Sequence, residues 1–150
     1  MPDKGLKPLV ANAVNQQSDE AGSENNMTKI LVAEDERDIR DLIKVVLMMA
    51  GFQVVLASNG MEAVELAPGE KPDLILMDLR MPKMTGYQAL EVLKKNPATA
   101  QIPIVFLSAM SDKDKVSELE GVEDYILKPF EVETLSRRVR EIVARTTKKE

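Results

Sequence analysis

The stretch Leu74–Gly86, LILMDLRMPKMTG, joins a short apolar run to a carboxylate and then to a loop that contains proline and glycine. An apolar run bounded in this way is typical of a strand that is buried on both faces of a parallel sheet. A carboxylate is the group that is most costly to bury, so Asp78 is not expected in the buried middle of this strand. We therefore expect Asp78 at the edge of the sheet, where the strand ends.

Strand-like and helix-like segments alternate along the chain from Lys29 onward. This alternation predicts an α/β domain with a parallel sheet, because right-handed crossovers place helices on both of its faces. We expect Asn59 to cap the second helix, and Pro68 and Gly69 to end it. We expect Thr85 to cap the third helix. The predicted strands are 29–33, 52–57, 74–78, 102–107 and 122–127, and the predicted helices are 36–50, 60–67, 86–95, 112–119 and 131–144.

Composition limits the function of the chain. The net charge of −5 over 150 residues gives no general attraction to nucleic acid or to anionic lipid. No apolar run reaches the roughly 20 residues that a membrane span requires. We therefore expect a cytoplasmic protein that contacts neither nucleic acid directly nor a membrane.

The sequence contains neither cysteine nor histidine. Their absence excludes disulfides, thiol nucleophiles, histidine acid–base catalysis and a phosphohistidine on this chain. If phosphoryl groups pass through the protein, a carboxylate or a hydroxyl must receive them.

Polar residues at the predicted strand ends form a candidate site, because ligands of such sheets bind outside the carboxyl ends of the strands. Glu34, Asp35 and Asp78 would bring three mutually repelling carboxylates together, which a hard cation such as Mg²⁺ or Mn²⁺ would relieve. Lys128 adds a positive charge and Ser108 a hydroxyl, so metal, ammonium and hydroxyl could neutralise the three oxygens of a transferring phosphoryl group. Asp78 is then the natural nucleophile.

Four segments together, ILVAEDE, LILMDLRMPKMTG, IVFLSA and DYILKPF, resemble the receiver domain of two-component response regulators. The resemblance covers about residues 28–146. It implies a flavodoxin-like, doubly wound, five-stranded parallel sheet of order 2-1-3-4-5. It also implies a regulatory phosphoacceptor, not an enzyme, that takes its phosphoryl group from a sensor histidine kinase or a histidine phosphotransfer protein and catalyses its own phosphorylation and dephosphorylation.

The resemblance assigns metal ligands by position. Asp78 would be the phosphoacceptor and Asp35 a direct Mg²⁺ ligand, while Glu34 would act through water. The backbone carbonyl of Arg80 would complete the protein ligands.

The resemblance also assigns the residues that read the phosphoryl group. Ser108 and Lys128 would bind its oxygens, and Tyr125 would turn inward when Ser108 moves toward it. Lys128–Pro129 resembles a cis peptide of the family, a bond type found almost only before proline.

Two departures from the family pattern carry expectations. The interval from Ser108 to Lys128 is shorter than is usual in the family, so the fourth helix should be shortened or partly unwound. The face formed by this helix, the fifth strand and the last helix often mediates output in the family, so a shorter helix would alter that face and dimerisation through it. Arg80 and Met110 flank the mouth of the predicted site, and neither is an acid or an amide that could orient an attacking water. We therefore expect the phosphoryl group to hydrolyse more slowly than in receivers of the chemotaxis type.

The chain divides into a predicted receiver domain over 28–147, an N-terminal extension over 1–27 and a tail over 148–150. The polar composition of the extension favours the absence of fixed structure, although the apolar spacing between Leu6 and Val14 also suits a docking helix. Little sequence follows the last helix, so we expect a single-domain response regulator, a monomer or weak dimer, that acts by binding a downstream protein or by phosphorelay.

Two alternatives remain open for the function. One is a receiver domain that belongs to a hybrid kinase or a multidomain regulator. The less favoured one is a phosphatase of the haloacid dehalogenase type, which would want a second aspartate where Arg80 stands.

Overall fold

The computed structural model describes residues 27–147. The predicted tail over 148–150 and the predicted extension, except Met27, lie outside the described residues. The domain boundaries therefore stay predictions. Within 27–147, no helix combines the length and the apolar character that crossing a membrane requires.

The described chain forms a five-stranded sheet in which each neighbouring pair of strands is parallel. The strand order is β2-β1-β3-β4-β5, which confirms the predicted topology. The first strand along the chain therefore lies second in the sheet, and the order reverses between β1 and β3. The strands are β1 (Lys29–Ala33), β2 (Gln53–Ala57), β3 (Leu74–Asp78), β4 (Ile104–Ala109) and β5 (Asp124–Lys128).

Helices cover both faces of the sheet. Apolar residues of α1 and α5 pack into one core cluster, and those of α2, α3 and α4 pack into the other. The short α4 follows a 3₁₀ turn over Met110–Asp112, as the short interval before Lys128 predicted. The helices are α1 (Arg37–Met49), α2 (Gly60–Glu70), α3 (Gly86–Lys95), α4 (Lys113–Ser117) and α5 (Val132–Thr147).

The central strand β3 is buried along its whole length. Leu74 and Leu76 face the core under α1 and α5, whereas Ile75 and Met77 face the core under α2, α3 and α4. This alternation explains the continuous apolar run in the sequence, because both faces of the strand require apolar side chains. Asp78 is the last residue of β3 and is 7% exposed.

The end of α2 differs from the prediction, because the helix continues through Pro68 to Glu70. Proline already has a helical φ, and near the end of a helix its missing N–H removes a single hydrogen bond. Asn59 caps the start of this helix as predicted, since its side chain accepts from the N–H of Glu62. Lys71 caps the carboxyl end of the helix and adopts the left-handed conformation at φ 50°.

The last two strands also extend further than the apolar pattern predicted. Ser108 pairs with Leu127, and Ala109 pairs with Lys128, in the parallel ladder between β4 and β5. Backbone pairing continues past the apolar run because a polar side chain at a strand end leaves the N–H and C=O groups free to bond. Ser108 and Lys128 are therefore strand residues, and neither belongs to a following loop.

The start of α3 lies against the backbone of β3 at Gly86. The Gly86 N–H donates to the carbonyl of Leu79 at 2.9 Å. A Cβ at this position would lie 2.7 Å from the carbonyl oxygen of Asp78 and 2.9 Å from the Cα of Leu79. Both of these atoms belong to the backbone, so neither can move aside without shifting the end of β3.

Gly86→Ala is expected to lower the free energy of unfolding by about 1–3 kcal/mol, because the added methyl group overpacks this contact. Gly69→Ala in α2 is the matched control, since a Cβ there meets nothing within 4 Å. The control is expected to be neutral or to raise the free energy of unfolding by up to about 1 kcal/mol. Urea unfolding followed by circular dichroism measures both, and equal midpoints for the two variants would contradict the prediction.

Candidate functional site

The carboxylates of Glu34, Asp35 and Asp78 meet at the carboxyl edge of the sheet. Asp78 ends β3, and the other two directly follow β1, its neighbour in the sheet. Each residue offers a carboxylate oxygen, and these oxygens lie within 4.8 Å of one another. Glu34 is 1% exposed and Asp78 is 7% exposed, whereas Asp35 is open to solvent. The predicted acidic cluster is therefore present, with one member accessible from outside.

Lys128 contributes the positive charge of the site from the end of β5. Its Nζ donates to Asp78 Oδ2 at 3.2 Å and to Glu34 Oε1 at 3.3 Å. Burial alone would lower the pKa of Lys128, but the carboxylates of Asp78 and Glu34 outweigh burial and raise it. The ammonium group therefore remains charged and lies between the two buried acids.

Both side-chain oxygens of Glu34 are engaged. Oε1 accepts from Lys128, and Oε2 accepts from the backbone N–H of Glu36 at 3.0 Å. Burial and the nearby charge of Asp78 raise the pKa of Glu34, against the opposing effects of the Glu36 N–H and of Lys128. Asp35, in contrast, is the exposed acid of the cluster.

Arg40 supports the acidic loop in a way that the sequence did not predict. The i,i+4 spacing of Glu36 and Arg40 suits an ion pair on the surface of α1. The Arg40 Nη1 donates instead to the backbone carbonyls of Glu34 at 2.9 Å and of Asp35 at 3.4 Å. These bonds to backbone carbonyls restrain the loop between β1 and α1 and leave the carboxylates of Glu34 and Asp35 to face the site. A basic residue one turn into the helix that follows the acidic pair is the sequence signal for this contact.

Ser108 and Tyr125 lie close to the site without contacting Asp78 through a described hydrogen bond. Ser108 is fully buried, and its Oγ donates to the carbonyl of Ala109 at 3.1 Å. Leu107, its neighbour in β4, pairs with Asp78. Tyr125 is half-buried and packs against the core under α2, α3 and α4. The phosphoryl-binding and switch roles assigned to these two residues stay predictions.

Arg80 and Asp112 form an ion pair beside the site, which the sequence did not predict. Nε of Arg80 donates to Asp112 Oδ2 at 3.1 Å, and its Nη2 donates to Oδ1 at 2.7 Å. The backbone N–H of Arg80 also approaches Asp78 Oδ1 at 3.4 Å. The sequence predicted for Arg80 only a metal-binding backbone carbonyl and a side chain that does not orient water. The signal for this pair was topological, since both residues follow the ends of the adjacent strands β3 and β4.

The Lys128–Pro129 peptide is cis, as the family resemblance implied. Of the predicted site residues, Glu34, Asp35, Asp78 and Lys128 lie in one cluster. Ser108 lies on the strand between the two that carry Asp78 and Lys128.

Comparison with known proteins places this geometry in a family. Residues 30–140 match the family model described as the response regulator receiver domain. The chemotaxis response regulator CheY4 of Vibrio cholerae superposes with a TM-score of 0.73 at 29% identity, over 78% of this chain and 99% of that structure. The receiver domain of the sensor histidine kinase PA1611 from Pseudomonas aeruginosa, solved with a magnesium ion in its active site cleft, superposes with a TM-score of 0.71 at 30% identity, over 79% of this chain and 99% of that structure.

A curated relative corrects one expectation. The DNA-binding dual master transcriptional regulator RpaA of Synechocystis is 38% identical over 122 residues, which cover 80% of this chain and 51% of the relative. This chain thus spans about half the length of the curated relatives that it matches. The expectation of no direct nucleic-acid contact, drawn from the net charge, is wrong, because the relative RpaA is a DNA-binding transcriptional regulator. Net charge is an average over the chain, so it does not exclude a local basic surface that binds nucleic acid.

Proposed function

The chain belongs to the response regulator receiver domain family, a regulatory family, and from this premise we propose that Asp78 accepts a phosphoryl group from a phosphohistidine. The donor would be a sensor histidine kinase or a histidine phosphotransfer protein. The phosphohistidine would lie outside these 150 residues, because they contain no histidine. Phosphorylation of Asp78 would then regulate the output of the protein.

The observation that carries the proposal is that the Asp78 carboxylate lies beside two other carboxylates and one ammonium group. Its oxygens lie near those of Glu34 and Asp35, and Lys128 Nζ is 3.2 Å away. A buried carboxylate with a fixed ammonium beside it and an exposed acid opposite suits a reaction that gathers negative charge.

The donor atoms fit Mg²⁺, because they are all oxygens and the cluster is open on one side. Mn²⁺ suits the same donors. Asp35, Asp78 and the backbone carbonyl of Arg80 would hold the ion directly. Glu34 would act through water, since both of its oxygens already accept hydrogen bonds. When bound, the ion would neutralise charge on the transferring phosphoryl group.

Phosphoryl transfer would form a bond between an Asp78 carboxylate oxygen and phosphorus as the bond from phosphorus to the histidine nitrogen breaks. The electron pair of that broken bond stays on the imidazole, which leaves with the partner protein. Lys128 would stabilise the charge on the phosphoryl oxygens during this step. Hydrolysis later returns the carboxylate of Asp78 and releases phosphate. We propose that this hydrolysis is slow, because neither Arg80 nor Met110 offers an acid or amide that orients water.

Movement of Ser108 would transmit the presence of the phosphoryl group to the adjacent strand β5. The Ser108 Oγ now donates to a backbone carbonyl and would exchange that acceptor for a phosphoryl oxygen, which is the stronger, charged acceptor. Tyr125 lies on β5, beside the strand of Ser108, and would occupy space that this movement vacates. Both roles belong to the proposal.

Two outputs agree with this chemistry. Regulation of transcription is favoured, because curated relatives are transcriptional regulators and are about twice as long as the matched region. A domain that acts alone through phosphorylation-dependent protein binding or phosphorelay is the second candidate. The size of the natural protein in the cell, measured by immunoblot, distinguishes a longer regulator from a stand-alone domain.

Incubation of the chain with acetyl phosphate tests the proposed phosphorylation directly. With Mg²⁺ present, intact mass spectrometry is expected to detect one phosphoryl group per chain, which peptide mapping places on Asp78. Excess EDTA is expected to prevent its formation. Failure to form any adduct, or equal formation in EDTA, would contradict the proposal.

A further inference from the structure

A two-point ion pair joins Arg80 to Asp112 at the edge of the site. The two nitrogen–oxygen distances are 3.1 and 2.7 Å, so the guanidinium and the carboxylate meet as a matched fork. The Asp112 side chain is 5% exposed, whereas that of Arg80 is 71% exposed. The pair therefore consists of a buried acid held by an arginine that reaches in from the surface.

The pair connects two segments that border the Asp78 site. Arg80 lies two residues beyond Asp78, in the loop between β3 and α3. Asp112 ends the 3₁₀ turn that leads from β4 into α4, four residues beyond Ser108. Since β3 and β4 are neighbours in the sheet, the ion pair fastens the turn after β4 to the loop that follows the phosphoacceptor.

The chemistry of the pair makes it sensitive to a second anion. A buried carboxylate without a cation is strongly unfavourable, so Asp112 keeps Arg80 while the turn holds this position. A guanidinium binds phosphoryl oxygens with the same fork that it offers to a carboxylate. Arg80 lies two residues beyond Asp78, and its backbone N–H is 3.4 Å from Asp78 Oδ1. An arginine side chain is long and flexible, so the guanidinium could bind either Asp112 or a phosphoryl group at Asp78.

We propose that Asp112 is a positioning residue that controls phosphorylation through Arg80. In the unphosphorylated domain, Asp112 binds the guanidinium of Arg80 at the turn after β4. In this position the guanidinium does not attract anionic phosphodonors to Asp78. Release of Arg80 accompanies phosphorylation and frees the turn and α4. This inference rests on the proposed phosphorylation of Asp78 and adds a restraint on that same site.

Asp112→Asn tests the restraint, because the amide has nearly the shape of the carboxylate but lacks its charge. Initial rates of phosphorylation are measured against acetyl phosphate concentration in Mg²⁺. The variant is expected to lower the KM for acetyl phosphate by about fivefold, since a released cation attracts the anionic donor. Asp114→Asn is the matched control, because it removes the same charge from exposed Asp114 in α4, and its KM is expected to remain within about twofold of that of the parent chain.

A double variant identifies Arg80 as the carrier of the effect. Arg80→Gln combined with Asp112→Asn leaves no unpaired buried charge, so folding is preserved. The gain of Asp112→Asn is expected to disappear in this variant. A gain that persists without Arg80, or a KM for Asp112→Asn that equals that of the Asp114→Asn control, overturns the inference.

Hydrogen exchange separates this inference from the proposed function. Without any phosphodonor, Asp112→Asn is expected to speed amide exchange in residues 110–117 about tenfold, while Asp114→Asn leaves the 3₁₀ turn unchanged. If the parent chain takes up no phosphoryl group, the proposed function fails and the exchange result alone decides the restraint. If the parent chain is phosphorylated and exchange in residues 110–117 is the same in Asp112→Asn as in the parent chain, only the restraint is overturned.

Discussion

Asp78→Asn is expected to take up no phosphoryl group from acetyl phosphate, because the amide lacks the carboxylate nucleophile. Asparagine has nearly the same shape as aspartate, so it keeps the packing at the end of β3. Intact mass spectrometry after incubation with acetyl phosphate and Mg²⁺ measures the adduct. Asp41→Asn, at an exposed position on α1, is the control and is expected to be phosphorylated like the parent chain.

Asp78→Asn is also expected to be more stable than the parent chain, whereas a variant with a damaged fold would be less stable. Removing one carboxylate relieves repulsion from Glu34 and Asp35, whose oxygens lie within 4.8 Å. In the absence of metal, the free energy of unfolding is therefore expected to rise by about 1 kcal/mol. The stabilisation that Mg²⁺ gives to the parent chain is expected to shrink, since a metal ligand has been lost. An adduct that persists in Asp78→Asn would place the phosphoacceptor elsewhere.

Lys128→Gln is expected to slow phosphorylation by acetyl phosphate about a hundredfold, because it removes a fixed charge from the transferring phosphoryl group. The same substitution should strengthen the binding of Mg²⁺. The ammonium lies 3.2 Å from Asp78 and 3.3 Å from Glu34, so it competes with the ion for the same acids. Mg²⁺ affinity is therefore expected to rise by about fivefold, measured by titration calorimetry.

Stability provides a third measurement on Lys128→Gln. The substitution leaves the buried carboxylates of Glu34 and Asp78 without their cation, so the free energy of unfolding is expected to fall by about 1–3 kcal/mol in EDTA. Mg²⁺ is expected to recover more stability in this variant than in the parent chain. Lys44→Gln, on the exposed side of α1, is the control for the loss of one positive charge. Weaker Mg²⁺ binding together with slower phosphorylation would indicate general damage to the site and contradict this account of Lys128.

Local pattern determined most of the fold. The apolar run 74–77 identified a strand buried on both faces, and both core clusters do contact β3. Asn59 and Thr85 marked the starts of α2 and α3, and each caps its helix through a side-chain oxygen. Helix and strand periods depend on neighbouring residues alone, so they can be inferred from the order of residues.

The chemical types at the strand ends were also evident from the sequence. The carboxyl ends of the strands in a parallel sheet lie at one edge. This edge therefore brings together the acids after β1 and at the end of β3, the hydroxyl in β4 and the amine in β5. The exact strand ends were less evident, and Ser108 and Lys128 proved to lie within the backbone ladder. Side-chain polarity marks where burial ends, whereas hydrogen bonding decides where a strand ends.

Only the tertiary structure decided how these groups are paired. Lys128 and Glu34 lie 94 positions apart, and nothing local to either one indicates that the amine shares its protons between Glu34 and Asp78. The burial of Asp112 and its ion pair with Arg80 also depended on the tertiary structure, because strand order indicates only that the two segments are neighbours and a short polar turn is usually exposed to solvent. The sequence by itself determined the elements, their order and the chemical groups at one edge of the sheet. The choice of partner among those groups depended on distances and burial that arise only when the strands and the loops around them are assembled.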